Sequence, residues 1–322
     1  MAQKIAILTS GGDAPGMNTA IGFLVKSALN FGFEPFLIFD GYAGIINKKI
    51  VPAEKFPYHN IGSYGGTAIG STRFPEFKEE KIQKKAVEIL REFGIDSLVV
   101  IGGDGTYKGG NQLHLQGINV IALPGTIDND IEFTDFTIGF DTALNTIVEA
   151  VDKLRDTGNS HRRCFVVEVM GRDCQDLAVY SALATGSEIL ITNTYKLSAE
   201  ETGKIVLEQF AKGKNSVIVM VSEHVLDNLK EFAKNIEDFT KISTRSLEIG
   251  HTQRGGRPTG FERVLAAKMA IKAVELIVEG QSGLAVGYLN GQVIAKNITD
   301  VVSHPVRRTN ELVKKINKIN QN

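Results

Sequence analysis

Three segments of this 322-residue chain set carboxylates among glycines: Ser10-Gly11-Gly12-Asp13-Ala14-Pro15-Gly16-Met17-Asn18, Gly102-Gly103-Asp104-Gly105-Thr106 and Pro124-Gly125-Thr126-Ile127-Asp128-Asn129-Asp130. Glycine lets the backbone approach a ligand closely, and the N–H groups at a helix start hold phosphate oxygens. Asp104 between glycines suits a nucleotide phosphate on the backbone and a divalent cation on the carboxylate. If 124–130 stays extended, Thr126, Asp128 and Asp130 share one face, with the two carboxylates ~6.5–7 Å apart. One can then act as base on a hydroxyl while the other faces a metal or an arginine. Met170-Gly171-Arg172 adds a guanidinium able to stabilise charge on a transferring phosphoryl group. Each segment also has a plain reading: a structural turn, a solvated Asp, an Asx turn, a surface ion pair. Three carboxylates at adjacent strand ends weigh against those readings, because they are costly without a cation or bound chemistry. Neither a Walker P-loop nor a G-x-G-x-x-G fingerprint is present.

Such loops need strands to carry them. Continuous apolar runs predict strands over Ile5–Thr9, Pro35–Phe39, Ser97–Ile101, Val120–Leu123, Phe165–Val169, Ile189–Thr192, Ser216–Val221 and Leu284–Tyr288. Runs of this kind suit strands covered by helices on both faces. Helical patterns fit Thr19–Asn30, Glu79–Phe93, Thr142–Arg155, Ala199–Lys212, Leu226–Phe239 and Glu262–Glu279. In Thr142–Arg155 the residues Leu144, Ile147, Val148, Val151 and Leu154 make one apolar face opposite Glu149, Asp152, Lys153 and Arg155. Alternation of strand and helix gives parallel sheets joined by right-handed crossovers, with ligands at the carboxyl ends of the strands.

Composition narrows the class. Hydrophobic residues make up 43% and charged residues 23%, enough for a real core, and the net charge of −1 offers nothing for nucleic acid or an anionic membrane. The apolar stretches are too short to span a bilayer, and Met1-Ala2-Gln3-Lys4-Ile5-Ala6 runs into a strand without a signal-peptide core. Cys164 and Cys174 lack metal-ligand spacing and read as reduced, core or near-core residues, so the cytoplasm is the expected compartment.

Taken in order, these segments resemble the ATP-dependent phosphofructokinases of the bacterial type. The resemblance runs from Thr9–Asn18 through Gly65-Gly66-Thr67, Arg73-Phe74-Pro75-Glu76-Phe77, Gly102–Gly105, Pro124–Asp130, Val167–Arg172 and Ser222-Glu223-His224 to His251-Thr252-Gln253-Arg254-Gly255-Gly256. It implies two Rossmann-like three-layer α/β/α lobes with mostly parallel sheets. The ATP-binding lobe would comprise 1–138 with 255–301, and the fructose 6-phosphate-binding lobe 139–254 with 302–322. It also implies a glycolytic homotetramer with active sites shared between subunits. Carried over by position, the nucleotide would meet Gly12, Tyr42, Arg73, Phe74, Gly102, Gly103, Asp104, Gly105 and Thr106, with Mg2+ at Asp104. The sugar phosphate would meet Thr126, Asp128, Met170, Gly171, Arg172, Glu223, His251 and Arg254, with Arg163 and Arg245 arriving from the next subunit. Asp128 would be the base, Arg172 would carry transition-state charge, and Thr126 and Asp130 would complete the catalytic group.

Pyrophosphate-dependent relatives carry Asp and Lys where this chain has Gly105 and Gly125, so the resemblance favours ATP and an open pocket at both positions. Of the effector site for ADP or phosphoenolpyruvate, Arg155, Glu188, Lys212 and Lys214 match. Gly22, Lys26 and Lys55 stand where well-regulated members have arginine, which predicts a pocket that responds feebly. The competing readings are a pyrophosphate-dependent enzyme of the same fold, a NAD or lipid kinase with the Gly-Gly-Asp-Gly loop, and a catalytically dead nucleotide-binding subunit.

Overall fold

A computed structural model describes residues 3–303 and 311–321. Met1, Ala2, the 304–310 part of the chain's last segment and Asn322 lie outside the described residues. The strands are β1 (Lys4–Ser10), β2 (Glu34–Ile38), β3 (Ile50–Pro52), β4 (Ile95–Gly102), β5 (Asn119–Thr126) and β6 (Ile138–Gly139). They continue with β7 (Arg163–Val169), β8 (Ile189–Ile191), β9 (Ser216–Ser222), β10 (Thr244–Glu248), β11 (Leu284–Leu289) and β12 (Gln292–Asn297). The described residues divide into two units, 3–142 with 254–303 and 143–253 with 311–321.

The first unit holds one sheet in the order β12-β11-β5-β4-β1-β2-β3, with β6 added beside β5. β2, β1, β4, β5 and β11 run parallel, and the antiparallel β3 and β12 close the edges. The chain moves from β1 to β2 on one side and returns to β4 on the other, so the strand order reverses between β1 and β4. That is the switch point at which open α/β sheets bind ligands. Every residue of β1 from Ile5 to Ser10 is buried, as a strand covered on both faces requires.

Helix Asp104–Leu115 follows β4 at once and was not expected, because Gly105, Gly109 and Gly110 lower helix propensity. The glycines make room: a Cβ on Gly110 would lie 3.1 Å from Val100 and 3.2 Å from Val120, and one on Gly109 would meet the Tyr42 ring at 2.8 Å. The helix therefore sits close on the sheet, and tertiary packing overrides propensity.

The second unit is an all-parallel sheet in the order β10-β7-β9-β8. Its core joins Cys164, Val166, Val217, Val219 and Val221 to Leu229, Phe232 and Ile236 of helix Leu229–Thr240. Helix Ala199–Ala211 begins with a capping box: Ser198 Oγ accepts from the Glu201 N–H at 3.2 Å, and Glu201 Oε2 accepts from the Ser198 N–H at 2.8 Å. Cys164 and Cys174 are buried and not joined in a disulfide, and burial pushes the Cys164 thiol up to about 12.

Candidate active site

In the first unit the three glycine-carboxylate segments meet at neighbouring carboxyl ends. The register sets Ser10 opposite Gly102 and Gly102 opposite Pro124, so the loops after β1, β4 and β5 leave the sheet side by side. Thr106 Oγ1 donates to the Ser10 carbonyl at 3.0 Å and ties the second loop to the first. A Cβ on Gly102 would fall 2.4 Å from that carbonyl and 2.3 Å from Thr106 Oγ1, so only glycine fits. A Cβ on Gly103 would lie 3.7 Å from the Thr126 Cβ, which ties the second loop to the third. Chain connectivity from that contact keeps the Cα atoms of Asp104 and Asp128 within ~18 Å, at about 3.8 Å per step.

Asp104 is the first residue of its helix rather than part of a longer loop, where the helix N-terminus favours a negative group. Its carboxylate is half-exposed and takes a 2.7 Å bond from Lys108, one turn on. Gly105 stands beside it with nothing within 4 Å of a would-be Cβ. Gly125 differs from the expectation of open space, since a Cβ there would meet Ile101 Cγ2 at 2.8 Å and Met17 Cε at 2.9 Å.

The segment 126–130 does not stay extended. β5 ends at Thr126, the Asp128 N–H turns back to Thr126 Oγ1 at 3.1 Å, and Asn129 adopts φ 56, a left-handed conformation that suits Asn. The common face expected for Thr126, Asp128 and Asp130 is thus lost at Asn129. Asn129, wholly buried, locks the bend: its Nδ2 donates to the Asp135 carbonyl at 3.0 Å, and its Oδ1 accepts from the Thr137 N–H at 2.9 Å. Thr137 Oγ1 donates to the Thr126 carbonyl at 2.6 Å. Asp128 is only 3% exposed, and Asp130 is half-buried.

Arg254 belongs to this unit and lies on the first loop. Its Nη1 donates to the Asp13 carbonyl at 3.2 Å and sits 2.6 Å from where a Gly12 Cβ would be. Tyr42, which the resemblance sets beside a nucleotide, is 3% exposed and packs into the core. Its hydroxyl donates to the Thr106 carbonyl at 2.6 Å, its ring stacks on Phe77 at 4.2 Å, and burial raises the phenol far above its ordinary value. Arg73 is exposed, and Phe74 is half-buried against the same core. Lys26 and Lys55 are exposed on this unit, while Gly22 is buried with the Tyr58 carbonyl 3.1 Å from a would-be Cβ.

The second unit gathers Met170, Gly171, Arg172 and Glu223. Glu223 Oε1 accepts from the Gly171 N–H at 2.9 Å and from the Arg172 N–H, and the Glu223 N–H reaches the Val169 carbonyl at 2.9 Å. Gly171 has φ 154, and a Cβ would lie 2.5 Å from the Cys174 carbonyl. Arg172 has φ 53 and is exposed. Gln253, which sequence reasoning passed over, is wholly buried and accepts from the Met170 N–H at 2.9 Å. His251 is exposed in the same short 3-10 turn, Gly250–Arg254. Below the loop, burial first, then Glu248 and Glu223, hold the Glu168 carboxyl above the usual carboxylate range.

Arg163 and Arg245 are not brought to this end. Arg163 opens β7, Arg245 pairs with Phe165, and six strand steps of about 3.3 Å put Arg163 ~20 Å from Val169. Arg245 is held by Glu237 at 2.7 Å. Arg155 and Lys214 do converge on the buried Glu188, at 3.0 and 3.5 Å. Lys212 and Lys214 also donate to the Gln321 and Asn320 carbonyls at 2.6 and 2.9 Å. These cations therefore already have protein partners. Among the described residues no group of three or more His, Cys, Asp and Glu is placed to hold a metal ion, and no helix is long and apolar enough to cross a membrane.

Glycine-lined loops at the switch point of a parallel sheet, with carboxylates at adjacent strand ends, define a doubly wound α/β protein. The chain belongs to the phosphofructokinase family, which matches residues 4–277. The ATP-dependent 6-phosphofructokinase of Mesomycoplasma hyopneumoniae (strain 7448) is 73% identical over 322 residues, covering 100% of both chains. The Pichia pastoris phosphofructokinase in the T-state superposes with TM-score 0.88 at 31% identity, covering 94% of this chain and 36% of that longer one. The pyrophosphate-dependent phosphofructokinase of Marinobacter aquaeolei superposes with TM-score 0.84, covering 98% and 91%, but at 17% identity the likeness is one of fold.

Proposed function

We propose that the chain is an ATP-dependent 6-phosphofructokinase, moving the γ-phosphate of ATP to the 1-hydroxyl of D-fructose 6-phosphate to give fructose 1,6-bisphosphate and ADP. The observation that carries this reading is the meeting of the β1, β4 and β5 loops, with Asp104 and Asp128 at adjacent strand ends. Phosphoryl transfer asks little of the protein beyond positioning and charge stabilisation, and both are available from such a frame. Asp128 accepts the proton of the attacking 1-hydroxyl, while the backbone of Gly12, Gly102, Gly103 and Gly105 cradles nucleotide phosphates. Arg172 carries charge that develops on the transferring group. Thr126 orients the loop through its bond to the Asp128 N–H, and Asp130 supports the same network.

Asp104 fits Mg2+, which takes one or two carboxylates with nucleotide phosphates rather than an all-protein cage. Its half-exposed carboxylate can exchange Lys108 for the ion. When bound, Mg2+ would neutralise charge on the phosphate oxygens. The open space at Gly105 supports ATP over pyrophosphate, because a second Asp there would crowd the nucleotide end.

The sugar phosphate is assigned to Met170, Gly171, Arg172, Glu223, His251 and Arg254. Arg163 and Arg245, ~20 Å and ~13 Å along the sheet from that loop, serve a neighbouring copy in the proposed homotetramer. The Arg155, Glu188, Lys212 and Lys214 cluster is the proposed ADP or phosphoenolpyruvate site, feeble because its cations already have protein partners. A cytoplasmic location accords with the two unbonded cysteines. A coupled assay of fructose 1,6-bisphosphate formation, with ATP and pyrophosphate in turn, tests the reading. Turnover with ATP alone supports it, and turnover with pyrophosphate alone overturns the donor assignment.

A further inference from the structure

A second carboxylate lies inside the first unit, outside every segment discussed as reactive. Glu262 is wholly buried near the start of helix Gly260–Val278. Its Oε2 accepts from the Thr142 N–H at 3.1 Å and from Thr142 Oγ1 at 3.2 Å, and the Gly139 N–H also stabilises its charge. Thr142 lies in the first turn of helix Phe140–His161 and Gly139 just precedes it, so the carboxylate caps that helix from another element. The stem of the same side chain fills the space beside Gly16, where a Cβ would lie 2.9 Å from Glu262 Cγ. Gly16 ends the β1 loop in a left-handed conformation, φ 101, and starts helix Met17–Asn30. Gly139 pairs with Thr126 in the β5–β6 register, and a Cβ on it would press on Ala14 at 2.6 Å and Ile127 at 3.3 Å. One buried side chain thus touches the end of the Gly11–Gly16 loop and the segment that backs Thr126–Asp128.

We propose that Glu262 is a positioning residue for phosphoryl transfer, holding the Gly11–Gly16 loop and the Thr126–Asp128 turn in register from beneath. The proposal rests on the reading of Asp128 as base. Ionised Glu262 draws the Gly139 and Thr142 amides inward, and a protonated carboxyl gives up that attraction, so the register depends on its charge. Its titration lies in the working range: burial pushes the carboxyl up to about 7 against the amide bonds, and Asp141 adds to the rise. Asp141 is the titratable neighbour on helix Phe140–His161, and its Oδ2 accepts from Thr259 Oγ1 at 2.5 Å. Gly16 and Ile138 bring no charge, and Arg263 on Glu262's own helix turns away to the Pro258 carbonyl at 2.9 Å.

The test is the pH profile of kcat from pH 5 to 9 for the full chain and for Glu262→Gln, Glu262→Asp, Thr142→Val and Asp128→Asn. The parent enzyme should lose kcat as pH falls through about 7, where Glu262 gains its proton. Glu262→Gln should run about 10–100-fold slower at pH 8, the scale of a misplaced reacting group, with that acid limb gone. Glu262→Asp keeps the charge and should keep the limb. Thr142→Val removes a donor to the carboxylate and should move the limb to higher pH, which a merely structural role would not do. This variant also decides the matter if Glu262→Gln does not fold. A folded Glu262→Gln within twofold of normal kcat and with an unchanged limb overturns the proposal, as does an unmoved limb in Thr142→Val. Normal turnover in Asp128→Asn would instead remove Asp128 as base while leaving the Glu262 limb readable.

Discussion

Replacing Gly12 by Ala places a methyl 2.6 Å from Arg254 Nη1 and 3.2 Å from its Cζ. Carbon needs about 3.5–4 Å to its neighbours, so the guanidinium must retreat by roughly 1 Å. Arg254 is assigned to the sugar phosphate, and a charge-assisted hydrogen bond is worth ~1.5–3 kcal/mol. At 1.4 kcal/mol per decade, its loss corresponds to about a 10–100-fold rise in KM for fructose 6-phosphate. Steady-state kinetics with ATP saturating reads this directly. The control is a double-mutant cycle: on an Arg254→Ala background, Gly12→Ala should add little to that KM, because the group it displaces is gone. Effects that multiply in the double variant would refute the reasoning. A change confined to the KM for ATP would do the same.

Three further outcomes follow from the packing. Tyr42→Phe removes the bond to the Thr106 carbonyl but keeps the ring on Phe77. It should cost ~0.5–1.5 kcal/mol, seen as a fall of about 2–4 °C in Tm per kcal/mol, with the KM for ATP within twofold of normal. Ser198→Ala breaks the capping box of helix Ala199–Ala211; thermal melts should show a loss of ~0.5–2 kcal/mol with unaltered kinetics. Glu262 has a folded pKa raised from 4.5 to about 7, so its contribution favours folding below 4.5 and fades as pH rises through 7. Glu262→Gln should flatten the fall of denaturant midpoint across that window, and an unchanged slope would count against the assignment.

The central strands were legible because each is a continuous apolar run, and all eight expected runs are strands. What escaped was marginal in pattern. β10, Thr-Arg-Ser-Leu-Glu, is an edge strand with most of its side chains exposed, so it lacks an apolar signature. β12 could have been found, since Asn290-Gly291 is the two-residue turn of a hairpin and both residues have positive φ. Helix Asp104–Leu115 hid behind its glycines, which weaken a helix in isolation and are needed by its close approach to β4 and β5. At the site, residue types and order pointed to strand ends that the fold sets side by side, because loops at parallel strand ends converge by topology. Local geometry was less accessible. The bend at Asn129 depends on Asp135 and Thr137, which come from a separate stretch, and period-two reasoning cannot see them. Glu262 and Gln253 act through backbone amides far away in sequence, Glu262 on Thr142 and Gln253 on Met170, a relation that only the fold creates.

The most direct measurement is the turnover number of Asp128→Asn in the coupled assay with saturating ATP, Mg2+ and fructose 6-phosphate. Removing a general base costs ~10²–10⁴-fold in kcat, and the account expects a loss in that range with a Tm close to the parent's. A folded variant that keeps more than about a tenth of the parent's turnover, well outside that range, would show that Asp128 is not the base.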